Sequence, residues 1–587
     1  MFFGGILMKK IIFVTNKERQ GSMMQQALNL LVAEKRLASV HEVYRVNHDT
    51  NWSTYTQIEF MKADFVIFSW MGMSDDHPFF QKALKLLKQE KIKYCLLANT
   101  QEAKNADAFC LEIQAEIERY LNFGGIENYT NLWLYAVEKK FCEKTSYQMP
   151  KKLHWNGIFH PAHVEPILDI ESYWNNDCAT DKMTIGILFS REEWIWQDLD
   201  YQTALIEEIK AQGMNAIAVF CLWAGNKAED VPGIDDTVKQ YFYRQGKVIV
   251  DAVITTFKFS LTVGKRIEKD FLQRLNVPIL QAYTLRKDYE EWRNSTEGMD
   301  PVEISSVLAL SEFDGVIHSL PVANKKIADD GTISYVPNHE RLRRVVQKAK
   351  KWANLRHKAN EKKKVAIVFH NVPANNSNVG SAAGLDSPAS IRNLLKRMQE
   401  EGYFVDHVPP DGQIFIEELL AGVTNDRRFL TDKQIENTPA RVTKQEYQKF
   451  FSTLPKETQM ELNAHWGDAP GDVFCYDDEL LIPGILNGNV FISVQPPRGF
   501  GEDPGKILHS PDAPPPHHYL AYYHWIRDLW QADAVMHIGT HGSLEWLPGK
   551  SAALSDTCYP DLALGDLPNL YPYLITIVGE GTQAKRR

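Results

Sequence analysis

Residues Asp533–Lys550 read DAVMHIGTHGSLEWLPGK. Ala534 to Ile538 is a short apolar run that suits a buried strand. Gly539 and Gly542 then interrupt any regular element. Inside and just beyond that interruption stand Thr540, His541, Glu545, Trp546 and Lys550. His537, His541 and Glu545 fall at four-residue steps, which on one helix would share a face. The glycines argue instead for a strand feeding a loop. In open α/β sheets ligands bind at the carboxyl ends of strands, so this loop is where chemistry is expected.

The same grammar recurs upstream. Lys364–Asn371 (KVAIVFHN) reads as a strand, followed by a loop from Pro373 to Asp386 rich in Asn, Gly and Ser. Asp386 or Ser387 would cap the next helix, with Pro388 in its first turn. A glycine-bearing loop before a helix N-terminus can hold an anion, although an ordinary βα turn has the same composition. Earlier, Lys9–Asn16, Val43–Val46, Asp64–Trp70 and Lys93–Asn99 read as strands separated by helical patterns. The pattern restarts at Lys182–Ser190 and continues through Ala216–Phe220, Asp251–Thr256, Asn276–Leu280 and Asp314–Ile317.

Strands alternating with helices mean βαβ units and parallel sheets. The expected fold is therefore α/β and multidomain, several parallel-sheet, Rossmann-like units with helical insertions. The expected divisions are residues 1–180, 181–360 and 361–587. Arg341–Lys364 is strongly basic and reads as a solvated helix leading into a linker. Thr424–Gln459 is polar and reads as an insertion or lid.

Composition narrows the function. With 587 residues the chain is too long for one core. A formal net charge of −10 disfavours a general nucleic-acid role. Seven scattered cysteines, never spaced C-x-x-C, disfavour a disulfide framework or zinc ribbon and fit a cytoplasmic protein. No apolar stretch is long enough to span a bilayer. MFFGGILMKK makes a poor signal peptide, because its lysines follow its apolar run. No strand leads into G-x-G-x-x-G, and LPGKS (Leu547–Ser551) lacks the earlier glycine of a phosphate-binding loop, so nothing looks built to hydrolyse ATP.

Six of the 18 histidines, His509, His517, His518, His524, His537 and His541, lie within residues 509–541. Imidazole suits zinc, copper and related ions, and carboxylate oxygen suits magnesium. From the residues alone a metal or acid–base site and a merely hydrogen-bonded polar loop are both open.

HIGTHGSLEWLPGK resembles the signature of the cobaltochelatase and magnesium chelatase large subunits. The resemblance extends through SDTCYPDLALGDLPNLYPYL (Ser555–Leu574), GEGTQAKRR (Gly579–Arg587), QPPRGF (Gln495–Phe500), PPPHHYLAYYHWI (Pro514–Ile526) and GSAAGLDSPASIRNLL (Gly380–Leu395). It implies a tetrapyrrole- and metal-binding subunit. ATP is then hydrolysed by separate partners, an AAA+ subunit and an ATPase-like subunit with a metal-ion-dependent adhesion-type domain. The substrate metal is Co²⁺ or Mg²⁺. Trp546 and Leu547 look like the cobalt branch, whereas Thr540 looks like the magnesium branch; the cobalt reading is favoured.

Metal insertion needs a base for two pyrrole protons, transient metal ligands and an apolar slot with polar edges. His537, His541 and Glu545 are the expected base and metal ligands. Arg498, His517, His518, Trp546, Lys550, Gly380, Gly384 and Asp386 are expected at the substrate. Trp525, Tyr519, Tyr522 and Tyr523 could wall the slot or simply pack. Members of the family run longer, so a fragment, a split gene with a separate chain for the second half, or a truncated non-catalytic tetrapyrrole binder are all expected possibilities.

Overall fold

The computed structural model describes residues 9–47, 50–70, 77–97, 108–227, 230–262, 270–329, 332–382, 384–499, 510, 512–539, 542–572 and 578–587. Met8, Asn99, Phe500, His509, Thr540 and His541, which the sequence analysis singled out, lie outside the described residues.

Three open sheets follow one another along the chain. The first has four parallel strands, Ile11–Thr15, Glu42–Arg45, Phe65–Ser69 and Lys93–Leu97, with Ile11–Thr15 and Phe65–Ser69 at its centre. Both central strands are buried along their length, as an apolar run covered on both faces must be.

The second sheet has seven strands. Its parallel core is Thr184–Ser190, Asn215–Cys221, Ala252–Thr255, Ile279–Leu285 and His318–Ile327. Antiparallel strands Gly157–Phe159 and Ile333–Pro337 close its two edges. Sheet pairing puts Gly157–Phe159, which precedes the division expected at residue 180, at the edge of the second sheet.

The third sheet has five strands, ordered Ile485–Asn487, Val490–Val494, Val365–Phe369, Ala534–Ile538 and Asn569–Leu570. Four are parallel and Ile485–Asn487 is antiparallel at the edge. Helix Ser387–Glu400 follows the central strand; Asp386 Oδ1 accepts the Ala389 N–H at 3.0 Å, with Pro388 in the first turn.

Two expectations change. The Thr424–Gln459 segment is no lid. It contributes one strand, Arg441–Thr443, to a small antiparallel sheet with Glu479–Leu481 and Cys475–Tyr476, and buries Tyr447 and Phe451 in the third core. The basic helix, His339–His357, is not a solvated linker. It buries Arg341, Leu342, Val345, Val346, Lys348, Ala349 and Ala353. Its cations face the third unit: Arg341 meets Asp561 at 3.0 Å, Arg344 meets it at 3.5 Å, and Lys348 Nζ donates to Gly565 O at 2.7 Å. Among the described residues no helix is long and apolar enough to cross a membrane.

Candidate functional site

The parallel strands of the third sheet end together at His370, Gln495, Gly539 and Tyr571. Neutral polar side chains fill this carboxyl edge and hydrogen-bond one another. The Ser543 backbone N–H can only donate, and it donates to Gln495 Oε1 at 2.7 Å. That fixes the amide, so Gln495 Nε2 faces and donates to Tyr523 Oη at 3.1 Å. Tyr523 Oη lies 2.9 Å from His537 Nε2, and His537 Nδ1 lies 2.8 Å from Asn569 Oδ1. Because Asn569 Oδ1 accepts, Nδ1 carries the proton and Nε2 accepts from the phenol. Burial pushes the His537 pKa down to about 4, so the imidazole is neutral. On the other flank Asn425 Nδ2 donates to Gln495 O at 2.7 Å and to Asn371 Oδ1 at 3.0 Å.

Glu545 sits on the short 3₁₀ turn Leu544–Trp546 and is 3% exposed. Its Oε1 accepts the Gly542 N–H at 2.8 Å and the Tyr571 Oη at 3.3 Å. The Tyr571 ring packs 5.8 Å from the His537 ring. Thus Tyr571 joins the His537 network to the Glu545 carboxylate. Trp546 is half-buried beside it. The strand-and-loop reading of residues 533–550 holds over the described part, with Ala534–Ile538 as the strand.

Several expected roles meet a different geometry. His537 has both ring nitrogens hydrogen-bonded inside the protein, so a metal could bind it only by displacing Tyr523 or Asn569. Arg498, 1% exposed, donates to the carbonyls of Trp546 and Ser510, each at 2.5 Å. Lys550 Nζ donates to Arg293 O at 2.9 Å and Ser295 O at 2.6 Å. Burial lowers the pKa of both cations. A buried charge must be solvated by something, and here main-chain carbonyls do it. Each cation thereby staples loops together.

His517 and His518 also serve the scaffold. His517 bonds Tyr447 Oη and Gly467 O, both at 3.0 Å, and His518 Nε2 bonds Leu481 O at 2.7 Å. They tie the inserted layer to helix His517–His524. Burial lowers the His517 pKa and pushes His518 down to about 4. Gly380 and Gly384 both take positive φ, and the Gly380 N–H donates to His370 O at 2.9 Å. A Cβ at Gly380 would meet the Phe369 ring at 3.0 Å, so this glycine is required by a close approach. Tyr522 donates to Ser493 Oγ at 2.8 Å inside the core.

A cavity of about 380 Å³ lies between the second and third units. Asn569 and Tyr571 form part of its wall, with His318, Lys348, Trp352 and Lys585 opposite. It is near the small end of ligand pockets, about 300–1,000 Å³. Gln495, Asn569 and Tyr571 were not identified as site residues from the sequence. Gln495 and Tyr571 each stand one position beyond a strand and Asn569 opens the two-residue strand Asn569–Leu570, a placement that becomes visible only when the sheet is assembled.

Residues 118–587 match the family model described as CobN/Magnesium Chelatase. The aerobic cobaltochelatase subunit CobN of Pseudomonas aeruginosa is 32% identical over 475 residues, covering 80% of this chain and 37% of that protein. The chloroplastic magnesium-chelatase subunit ChlH of Oryza sativa is 34% identical over 452 residues, 73% of this chain and 31% of that one. The catalytic subunit of cobaltochelatase from Mycobacterium tuberculosis superposes with a TM-score of 0.68 at 28% identity, covering 99% of this chain and 47% of that one. The chain thus spans less than half the length of these relatives. Taken with the three successive α/β units, these likenesses establish that the chain belongs to the CobN/magnesium chelatase family.

Proposed function

We propose that this chain is the tetrapyrrole- and metal-binding part of an ATP-dependent cobaltochelatase, inserting Co²⁺ into a corrinoid precursor, hydrogenobyrinic acid a,c-diamide, on the route to cobalamin. The observation that carries this reading is Glu545, a buried carboxylate held by the Gly542 N–H and Tyr571 at the carboxyl edge of the third sheet.

Insertion exchanges two pyrrole N–H protons for one divalent ion. A carboxylate near the ring centre can accept a proton and can pass the metal on through an oxygen ligand. Glu545 takes that role, together with His541. His537 acts differently: neutral and bonded on both sides, it orients Asn569 and packs on Tyr571, the two residues that reach the cavity. Trp546 offers an aromatic face to the macrocycle. The chain lacks a phosphate-binding loop, so ATP is hydrolysed by partner subunits, an AAA+ ATPase and an ATPase-like subunit with a metal-ion-dependent adhesion-type domain. A further polypeptide segment completes the pocket. The reaction takes place in the cytoplasm.

The test is metal insertion with ATP and the two ATPase subunits, comparing Co²⁺ with Mg²⁺ and corrinoid precursor with protoporphyrin IX. Cobalt entering the corrinoid is the expected result. Magnesium entering protoporphyrin assigns the chain to the other branch, the reading that Thr540 favours. Tetrapyrrole binding without insertion of either metal identifies a non-catalytic binding protein.

A further inference from the structure

A second group of metal-ligating side chains lies in the second unit, on the edge strand Gly157–Phe159. That strand ends at His160. The chain then turns back, with the His163 N–H donating to His160 O at 2.9 Å, so both imidazoles are brought to one side. The Ile158 and Ile167 main chains exchange hydrogen bonds at 2.9 and 3.0 Å and close the loop between them. Helix Ile170–Asp177 follows and delivers Asp177 to the same place from its last residue.

The ligand atoms of His160, His163 and Asp177 all lie within 4.8 Å of one another. His160 Nε2 is 3.9 Å from Asp177 Oδ1, and the two imidazole rings are 5.1 Å apart. Among the described residues this is the one cluster of three such groups so close together. His537, Glu545 and the third sheet take no part in it.

A cation already stands in this donor set. Lys210 Nζ, from helix Asp200–Ala211, lies 2.8 Å from His160 Nε2. An ammonium is a point charge on a flexible stem and can swing out. His163 is exposed and free to rotate. In a tetrahedral site with bonds of about 2.1 Å the donors stand about 3.4 Å apart. With every separation within 4.8 Å, none must shrink by more than about 1.4 Å, a distance that side-chain rotation, above all of the exposed His163, supplies.

We infer that His160, His163 and Asp177 form a binding site for one divalent first-row metal ion of the zinc class, separate from the insertion site, in which the Lys210 ammonium holds the place of the ion. Two imidazoles and a carboxylate suit that class, and solvent completes the coordination.

Titration of the full chain with Zn²⁺ alone, and with Co²⁺ alone followed by visible absorption, tests this without tetrapyrrole or ATP. One equivalent binds the wild type. His163→Ala and Asp177→Asn weaken that binding at least tenfold. Lys210→Met strengthens it severalfold, because the competing ammonium is gone. Because His163 is exposed, its substitution leaves the fold intact, and circular dichroism checks this. No uptake by the wild type, or isotherms of His163→Ala and Asp177→Asn that match the wild type, overturns the inference.

Discussion

The carboxyl edge of the third sheet and the seam between the second and third units are both buried and polar, yet they are built from different parts. The seam uses charge. Arg341, Arg344 and Lys348 converge on Asp561 and Gly565, and Lys550 crosses to the carbonyls of Arg293 and Ser295. The edge uses neutral groups, Gln495, Tyr523, His537, Asn569 and Tyr571, arranged around one carboxylate. Buried cations satisfied by carbonyls are fixed points, because moving them exposes an unpaired charge. A neutral network with a single acid leaves that acid as the group that can trade protons and bind a metal. The motif residues thus fall into two groups, cations bonded to main-chain carbonyls and neutral groups gathered around Glu545, to which the proposed function assigns the chemistry.

Breaking the seam has the largest expected effect. Asp561→Asn removes the carboxylate shared by buried Arg341 and Lys348 and half-buried Arg344, leaving Arg341 only Glu340, and costs about 3–5 kcal/mol, read by chemical denaturation. The pH dependence follows from the same group. Burial raises the Asp561 pKa, but Arg341, Arg344 and Lys348 outweigh it and hold the value down to about 2. An unfolded aspartate titrates near 3.9. The stabilisation is therefore complete above about pH 4 and is lost as pH falls toward 2. Wild-type stability falls through that window, and in Asp561→Asn this part of the fall is absent.

A smaller effect is expected at the edge. Tyr523→Phe removes the donor to His537 Nε2 and costs about 1–2 kcal/mol, since a buried acceptor is left unmade. It also slows metal insertion, because Asn569 and Tyr571 lose their support. A stability loss with insertion unchanged would place Tyr523 in the scaffold alongside His517. Smallest is Trp546→Ala, for which tetrapyrrole affinity falls by about 3–10-fold, the loss of one aromatic contact of about 0.5–1.5 kcal/mol. Unchanged affinity would remove Trp546 from the slot.

The strands were legible because apolar runs bounded by turn residues have few other readings: Ile11–Thr15, Thr184–Ser190, Val365–Phe369 and Ala534–Ile538 all fall inside expected segments. The cap at Asp386 was legible for the same local reason. Edge strands were not. Gly157–Phe159 is only three residues long, and Ile333–Pro337 is only partly apolar, with Val336 facing away from the core. Site residues divided by type. Glu545 was legible because a carboxylate inside an apolar motif demands a reason. At Arg498 and Lys550 a cation in a motif reads as an anion site, and the structure adds what the motif could not show, that each is also stapled to carbonyls far away in sequence. Arg293 is 257 residues from Lys550. Gln495, Asn569 and Tyr571 gave no local signal, because only the parallel register of the sheet brings their strands to one edge.

The most direct measurement pairs tetrapyrrole binding with metal insertion on the same preparations of wild type and Glu545→Gln. Binding is followed by ligand absorbance and tryptophan quenching, and insertion is followed with Co²⁺, ATP and the partner ATPases. The expected result is an affinity within about threefold of wild type and insertion slower by about a hundredfold or more, the loss of a positioned acid–base group. Insertion by Glu545→Gln at the wild-type rate would contradict the account and take the chemistry away from the carboxyl edge of the third sheet.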